Sequence, residues 1–310
     1  MLIEPVEPTQ ERLSDPLKVL REAAGSTLSE SVLVRRASGA FYTPRPIADH
    51  LVSVLIRLMV TEKSIIRVCD PFAGDGRLVA WLIETTHNAG LHRKWDVNLW
   101  DIHNTGLTEA DKRLEGLLTL GVKLKSNTWT GDAFSRIADD NETFDLVITN
   151  PPWENLKPDR RELDLLPTSA RAEYTRALKD TATHLESLFP HAATSAKYAG
   201  WGTNLSRIGT EAALRITRPG GVLAIVVPVS LLADQASSRL RRWLLSESNL
   251  LDIAYFPAEG RLFSPADVGA CTLVARKETP VRIRPRVSIF NKKLSKVETG
   301  TFPMKKELLS

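Results

Sequence analysis

Asn150-Pro151-Pro152-Trp153 places two rigidly held acceptors and a wide aromatic face within four consecutive residues. That combination suits chemistry at a planar amino group. An amino nitrogen conjugated to a heteroaromatic ring or a carbonyl is a poor nucleophile, because its lone pair is delocalised into the π system. Two acceptors on its hydrogens would draw the nitrogen towards tetrahedral geometry and localise the pair. The Asn150 side-chain carbonyl is one such acceptor, and the prolines hold the Pro151 carbonyl outward as the second. Trp153 adds a face on which a base could stack, a contact of roughly 1–3 kcal/mol in single-strand binders. Taken alone, the tetrapeptide serves equally well as a strand-ending turn followed by a core aromatic.

The elements that must position this clamp are legible around it. Residues 144–149 are short, apolar and β-branched, which predicts a central strand ended by Asn-Pro-Pro, and ligands in open α/β sheets gather at that end. Residues 65–70 predict a second buried strand, followed by Pro71-Phe72-Ala73-Gly74-Asp75-Gly76 and a helix starting near Arg77. Strand, glycine turn and helix form a nucleotide-type element in which Gly74 and Gly76 permit close backbone approach. A dinucleotide site fits poorly, because Val79 stands where its fingerprint needs a third glycine. The next strand, 96–101, ends in Asp101, which could accept two hydrogen bonds from ribose hydroxyls. A turn with few pyrophosphate donors suits a nucleoside cofactor without phosphates. After a strand over 122–129, Asp132 could accept from an adenine amino group and Phe134 could cover its ring, or Gly131-Asp132 is a solvated turn.

In this order, Phe41-Tyr42-Thr43-Pro44, Asp70 to Gly76, Asp101, Asp132 and Asn150-Pro151-Pro152-Trp153 resemble the class I S-adenosylmethionine-dependent methyltransferases. Within them the match is to the gamma-class N6-adenine DNA methyltransferases of restriction-modification and phage-defence systems, over about residues 30–276. The resemblance implies an α/β fold: a doubly wound, mostly parallel, seven-stranded Rossmann-like sheet with an antiparallel last strand. It implies S-adenosylmethionine as cofactor, with Phe41, Tyr42, Thr43 and Pro44 at its methionine end and Asp70, Pro71, Ala73, Gly74 and Gly76 cradling it. Asp101 and Ile102 would then take the ribose side, Asp132, Ala133 and Phe134 the adenine, and Asn150 would border both cofactor and target. Asn150, Pro151, Pro152 and Trp153 become the catalytic residues. Trp153 departs from the family's usual Tyr or Phe, which touches base stacking rather than the reaction.

Composition sets the remaining expectations. At 310 residues and 43% hydrophobic the chain can bury one large core. No apolar run long enough to span a bilayer and no secretory signal is visible, so a soluble, cytoplasmic protein without membrane partners is expected. Cys69 and Cys271 fall in apolar strand-like runs and read as buried, reduced thiols, and no metal-ligand cluster is visible. The organisation reads as a polar extension over 1–38 with a helix at 17–24, a catalytic domain over 39–276 with an insertion at 154–200, and a basic segment over 277–310. That last segment carries nine Lys or Arg against three Glu, a larger excess than the net charge of +4 of the whole chain. It reads as a nucleic-acid footprint or a solvated tail.

The insertion contains a helix near 169–188 and stands beside the clamp as a substrate or partner contact, or simply as a covering helix. Further helices over 204–218 and 233–246 alternate with strands over 221–227, 251–256 and 270–275, the last two being an edge strand and its antiparallel partner. Expected partners are double-stranded DNA and a sequence-recognition domain or subunit outside this chain. No nuclease domain is expected in the short stretch before Phe41. RNA adenine methylation, protein glutamine methylation and a non-catalytic DNA-binding role remain alternatives.

Overall fold

The apolar runs of the sequence become neighbouring strands in a computed structural model that describes residues 42–58, 65–139, 143–194, 202–263, 268–280 and 284–301. Phe41, the helix at 17–24 and the extension 1–38 lie outside the described residues, as do 195–201 and 302–310. The first half runs α1 (Arg45–Leu58), β1 (Ile65–Asp70), α2 (Arg77–Asn88), β2 (Lys94–Asp101), α3 (Asn104–Thr119), β3 (Lys123–Thr130), α4 (Ala133–Asp139) and β4 (Phe144–Thr149). The stretch after the tetrapeptide supplies β5 (Asn155–Leu156), α5 (Arg160–Leu165) and α6 (Thr168–Leu188), followed by β6 (Thr203–Asn204). Then come α7 (Leu205–Ile216), β7 (Thr217–Pro228), α8 (Ser230–Ala233), α9 (Ser238–Glu247), β8 (Ser248–Phe256), β9 (Ala270–Lys277), β10 (Arg286–Phe290) and β11 (Lys296–Thr301).

Nine strands form one sheet in the order β11-β10-β8-β9-β7-β4-β1-β2-β3. From β3 to β7 all neighbours are parallel, and β9 enters antiparallel between β7 and β8. Successive residues of the central strands point to opposite faces, and both faces are covered, which is why these strands read as continuous apolar runs. Val68, Leu146 and Ala224 pack with Leu51 of α1, Leu82 of α2 and Leu114 of α3. Their neighbours Cys69, Val147 and Leu223 pack with Phe134 of α4, Ile208 of α7 and Leu244 of α9. Helices on both faces of a mostly parallel sheet give the doubly wound arrangement expected from the sequence.

Three elements differ from expectation. The sheet has two strands beyond the expected seven: β10 pairs parallel with β8, and β11 pairs antiparallel with β10, so the strand expected at the edge is interior. Reading 277–310 by its charge passed over Val287 and Ile289, which alternate with polar residues in strand fashion, with Phe290 at the end. Beyond Ala233, where α8 ends, the amphipathic stretch 233–246 is helical only from Ser238, in α9, and between the two the Asp234 carboxylate accepts from Ser237 N at 2.7 Å. Finally, β7 starts at Thr217, four residues before Gly221, with a register irregularity opposite Phe144 and Leu146.

The stretch between β4 and β6 makes a small cluster of its own, in which Leu166, Tyr174, Ala177 and Leu178 pack together with Leu156 against them. Its helix α6 spans almost the residues read from the sequence. No helix among the described residues is long and apolar enough to cross a membrane.

Candidate active site

β1 and β4 are adjacent and parallel, so their carboxyl ends lie side by side. There the Thr149 hydroxyl donates to Asp70 Oδ1 at 2.6 Å, and Phe72 N donates to the same oxygen at 3.1 Å. Both side chains are buried. Burial pushes the Asp70 carboxyl up to about 7; the Asp101 charge adds to the rise, and the bonds from Thr149 and Phe72 act against it. This buried bond fastens the entrance of the glycine turn to the entrance of the tetrapeptide.

Beyond Asp70 the turn takes a form that only glycine allows. Gly74 and Gly76 have φ of +53° and +68°, and a Cβ on Gly76 would sit 2.6 Å from Ala110 Cβ of α3. Asp101 closes the turn from the end of β2: its Oδ2 accepts from Gly74 N and its Oδ1 from His103 N, both at 2.8 Å. Each oxygen keeps lone-pair capacity for a further donor. Ile102 beside it is 59% exposed. Asp75 is committed elsewhere: burial works against its charge, but Arg77 and Arg113, at 2.6 and 2.9 Å, hold its carboxyl below the usual range.

Tyr42 lies over this turn, with the Arg77 guanidinium 3.9 Å from its ring centroid and a Cβ on Gly74 reaching to 3.4 Å of its Cε1. Thr43 is buried, and the Pro44 carbonyl starts α1 by accepting from Ile47 N and Ala48 N. Pro71 and Ala73 are buried in the turn, where Ala73 N donates to Trp100 O at 2.9 Å. Asp132 caps α4, its two oxygens accepting from Phe134 N at 3.0 Å and from the Ser135 hydroxyl at 2.6 Å. Ala133 and Phe134 are buried, and the Phe134 ring packs against Phe72 and Phe189 with centroids at 5.1 and 5.9 Å. The turn therefore gathers Tyr42, Gly74 and Asp101, while the Phe134 ring is taken up by its aromatic neighbours. An exposed apolar Ile102, an acid with spare acceptor capacity and a glycine cradle fit a nucleoside-type group such as S-adenosylmethionine.

The tetrapeptide is held by residues that carry no sequence motif. Pro151 is buried against Gly209 in the first turns of α7, where an added Cβ would collide with Pro151 Cβ and lie 3.3 Å from Phe72 Cε2. Asn204 caps the same helix by accepting from Ser206 N at 2.9 Å, and its amide donates to Trp153 O at 3.2 Å and to Asn155 Oδ1 at 2.8 Å. Leu205 N donates to Glu154 O, and β5 pairs with β6, so the exit of the tetrapeptide is laced to the start of α7. The Trp153 ring packs on Phe263 with centroids 4.6 Å apart, and its Nε1 is buried without a hydrogen-bond partner among the described residues. Asn204 was legible as a helix cap, and Gly209 as an isolated glycine inside a helical pattern, a position that usually has a packing reason.

Residues 77–263 match the Eco57I restriction-modification methylase family. The chain belongs to that family. A relative among characterised proteins, the type II methyltransferase M.VspI of Vibrio sp. (strain 343), is 29% identical over 143 residues, which cover 46% of this chain and 31% of that protein. Among solved structures, a class I S-adenosylmethionine-dependent methyltransferase from Listeria monocytogenes matches with a TM-score of 0.54 at 15% identity, over 79% of this chain and 65% of that one. The DrdV chain in its complex with DNA matches with a TM-score of 0.63 at 14% identity, over 88% of this chain and 31% of that one. These likenesses give the Eco57I-family chain a class I methyltransferase fold, and it spans under a third of M.VspI and of DrdV.

Proposed function

We propose that this chain is the catalytic part of an S-adenosylmethionine-dependent DNA adenine-N6 methyltransferase serving a restriction-modification or phage-defence system. The observation that carries the reading is the buried Thr149–Asp70 hydrogen bond, which sets Asn150-Pro151-Pro152-Trp153 directly beside the glycine turn. A cofactor cradle and an amino-group clamp side by side at the carboxyl end of the sheet are what methyl transfer to nitrogen requires. S-adenosylmethionine, when bound, supplies a methyl group already activated by the positive sulfonium.

The residues of the chain divide the rest of the work. Asp101 accepts from ribose hydroxyls, and Tyr42, Thr43, Pro44, Asp70 and Gly74 line the remainder of the cradle. Asn150 Oδ1 and the Pro151 carbonyl accept the two hydrogens of the adenine amino group, which localises the nitrogen lone pair on the side facing the cradle. The acceptors take no proton; the nitrogen releases one to water after transfer. Most of the acceleration comes from alignment, so the rigidity of Pro151 and Pro152 matters more than acid–base strength. In a duplex the adenine must leave the stack at a cost of a few kcal/mol, which stacking on Trp153 and backbone contacts offset.

The test is product identity. The chain is incubated with labelled S-adenosylmethionine and, separately, mixed-sequence duplex DNA, RNA and a glutamine-containing peptide, and each product is hydrolysed and analysed by mass spectrometry. N6-methyladenine from DNA supports the assignment. Label confined to RNA or to glutamine refutes it.

A further inference from the structure

The hairpin that extends the sheet points at the clamp side of the molecule. β7 is parallel to β4, β9 is antiparallel to β7, β8 is antiparallel to β9, and β10 is parallel to β8. The end of β10 at Phe290 therefore lies at the same end of the sheet as Asp70 and Thr149. From it the tip Asn291-Lys292-Lys293-Leu294-Ser295 leads into Lys296 of β11, and all three lysines are exposed.

This tip is built as a fixed support. Asn291 Oδ1 accepts from Lys293 N and Ser295 N at 2.9 and 3.1 Å, and Leu294 N donates to Asn291 O at 2.8 Å. Phe290 stacks on Phe256 with centroids 4.4 Å apart, and its ring meets that of buried His50 at 5.4 Å. Leu294 packs against the neighbouring turn, its Cδ2 lying 3.0 Å from where a Cβ on Gly260 would be. Leu294 and Arg261, one on each of these touching turns, are the two non-glycine residues with positive φ among the described residues. The second turn continues to Phe263, on which Trp153 packs. Arg261 is exposed, so four cations share this ridge with Glu259 and, on β11, Glu298.

We propose that the β10–β11 tip, with Lys292, Lys293 and Lys296 beside Arg261, is a contact surface for the phosphate backbone of duplex DNA whose adenine enters the clamp. The inference rests on the DNA reading above. Four strand spacings separate β10 from β4, about 19 Å at the usual interstrand distance. Along a duplex that corresponds to roughly six base steps at about 3.4 Å each, so the tip meets backbone about half a turn from the target. Lysines on a rigid turn act as point charges that displace condensed counterions without reading sequence.

The experiment measures binding of the full chain to a mixed-sequence 20-base-pair duplex across about 50–300 mM salt, for wild type, Lys292→Ala/Lys293→Ala and a Lys123→Ala/Lys125→Ala control at the far sheet edge. Neutralising one lysine that faces a phosphate lowers the slope of log affinity against log salt by about 0.9. The hairpin variant is expected to show a slope smaller by nearly 2 and to bind more than tenfold more weakly at 50 mM salt. Its S-adenosylmethionine binding and melting temperature should be unchanged, as should the slope of the control variant. A hairpin variant with wild-type slope overturns the proposal, as does a loss of binding to duplex RNA but not to duplex DNA. Wild-type protein that binds no duplex DNA at 50 mM salt instead removes the DNA reading of the active site itself.

Discussion

Gly209→Ala separates the moulding of the tetrapeptide from ordinary helix stability. Gly209 lies in α7, nearly all of whose residues are buried, so the helix has little freedom to retreat. An added methyl would overlap Pro151 Cβ and sit 3.2 Å from its Cγ and 3.3 Å from Phe72 Cε2. Carbon contacts settle near ~3.5–4.0 Å, so Pro151 must shift by about 1 Å. The helix itself would gain about 1 kcal/mol from replacing glycine, while overpacking costs about 1–3 kcal/mol, leaving a small net destabilisation. The larger effect falls on alignment, where an error of about 1 Å costs on the order of a hundredfold in rate. Gly116→Ala is the matched control: it lies in α3 with nothing within 4 Å of an added Cβ, so it should raise stability by up to about 1 kcal/mol and leave turnover unchanged. The assay is thermal melting with single-turnover methyl transfer and an S-adenosylmethionine titration. Full turnover in Gly209→Ala would refute the idea that α7 shapes the clamp.

Two further outcomes follow from the buried groups. The Asp70 carboxyl, raised from 3.8 to about 7 by burial, binds its proton more tightly in the folded chain than in the unfolded one. The stability it contributes is complete below about pH 4 and lost as pH rises towards 7, at up to about 1.4 kcal/mol per pH unit. Asp70→Asn should flatten that decline in urea unfolding of the cofactor-free chain, and parallel profiles for the two proteins would contradict the assignment. Cys69 and Cys271 are both buried, and burial pushes the Cys271 thiol up to about 12. An aromatic disulfide reagent should therefore find no reactive thiol in the native chain and both after denaturation, with rapid native labelling as the contrary result.

The sequence was most informative where chemistry and pattern coincide. β1, β4 and the start of α2 fall where the apolar runs and the glycine turn put them, because a parallel central strand is buried on both faces and leaves a continuous signal. Asp101 was readable as an acceptor at a strand end, but its role in closing the turn on Gly74 depends on two strands meeting, which no local pattern encodes. The buried pair of His50 and Asp252, 2.9 Å apart and tying α1 to β8, joins residues too far apart in the chain to be linked by spacing. Phe134 illustrates a different limit: an aromatic after a turn reads alike whether it covers a ligand or fills a core, and here its ring is 8% exposed among Phe72 and Phe189. Gly209 of α7 and Asn204, which caps that helix, meet Pro151 and Trp153, and only the fold brings them together. The basic C-terminal stretch was legible as charge, whereas its strand pairing was masked by that same charge.

Everything in the proposed chemistry turns on Asn150 and Pro151 acting as acceptors for an amino group beside a separate cofactor cradle. That role is tested by comparing wild type with Asn150→Ala on a short duplex carrying an unpaired adenine, which lowers the cost of leaving the stack and avoids the need for sequence recognition. S-adenosylmethionine affinity is measured on the same samples. The expected outcome is N6-methyladenine from wild type and a rate lower by about a hundredfold to a thousandfold in Asn150→Ala, with cofactor affinity changed by less than about threefold, since one preorganised hydrogen-bonding partner for developing charge is worth roughly that much in rate. Equal methylation by the two proteins, or methyl transfer to a position other than N6, would contradict the acceptor role.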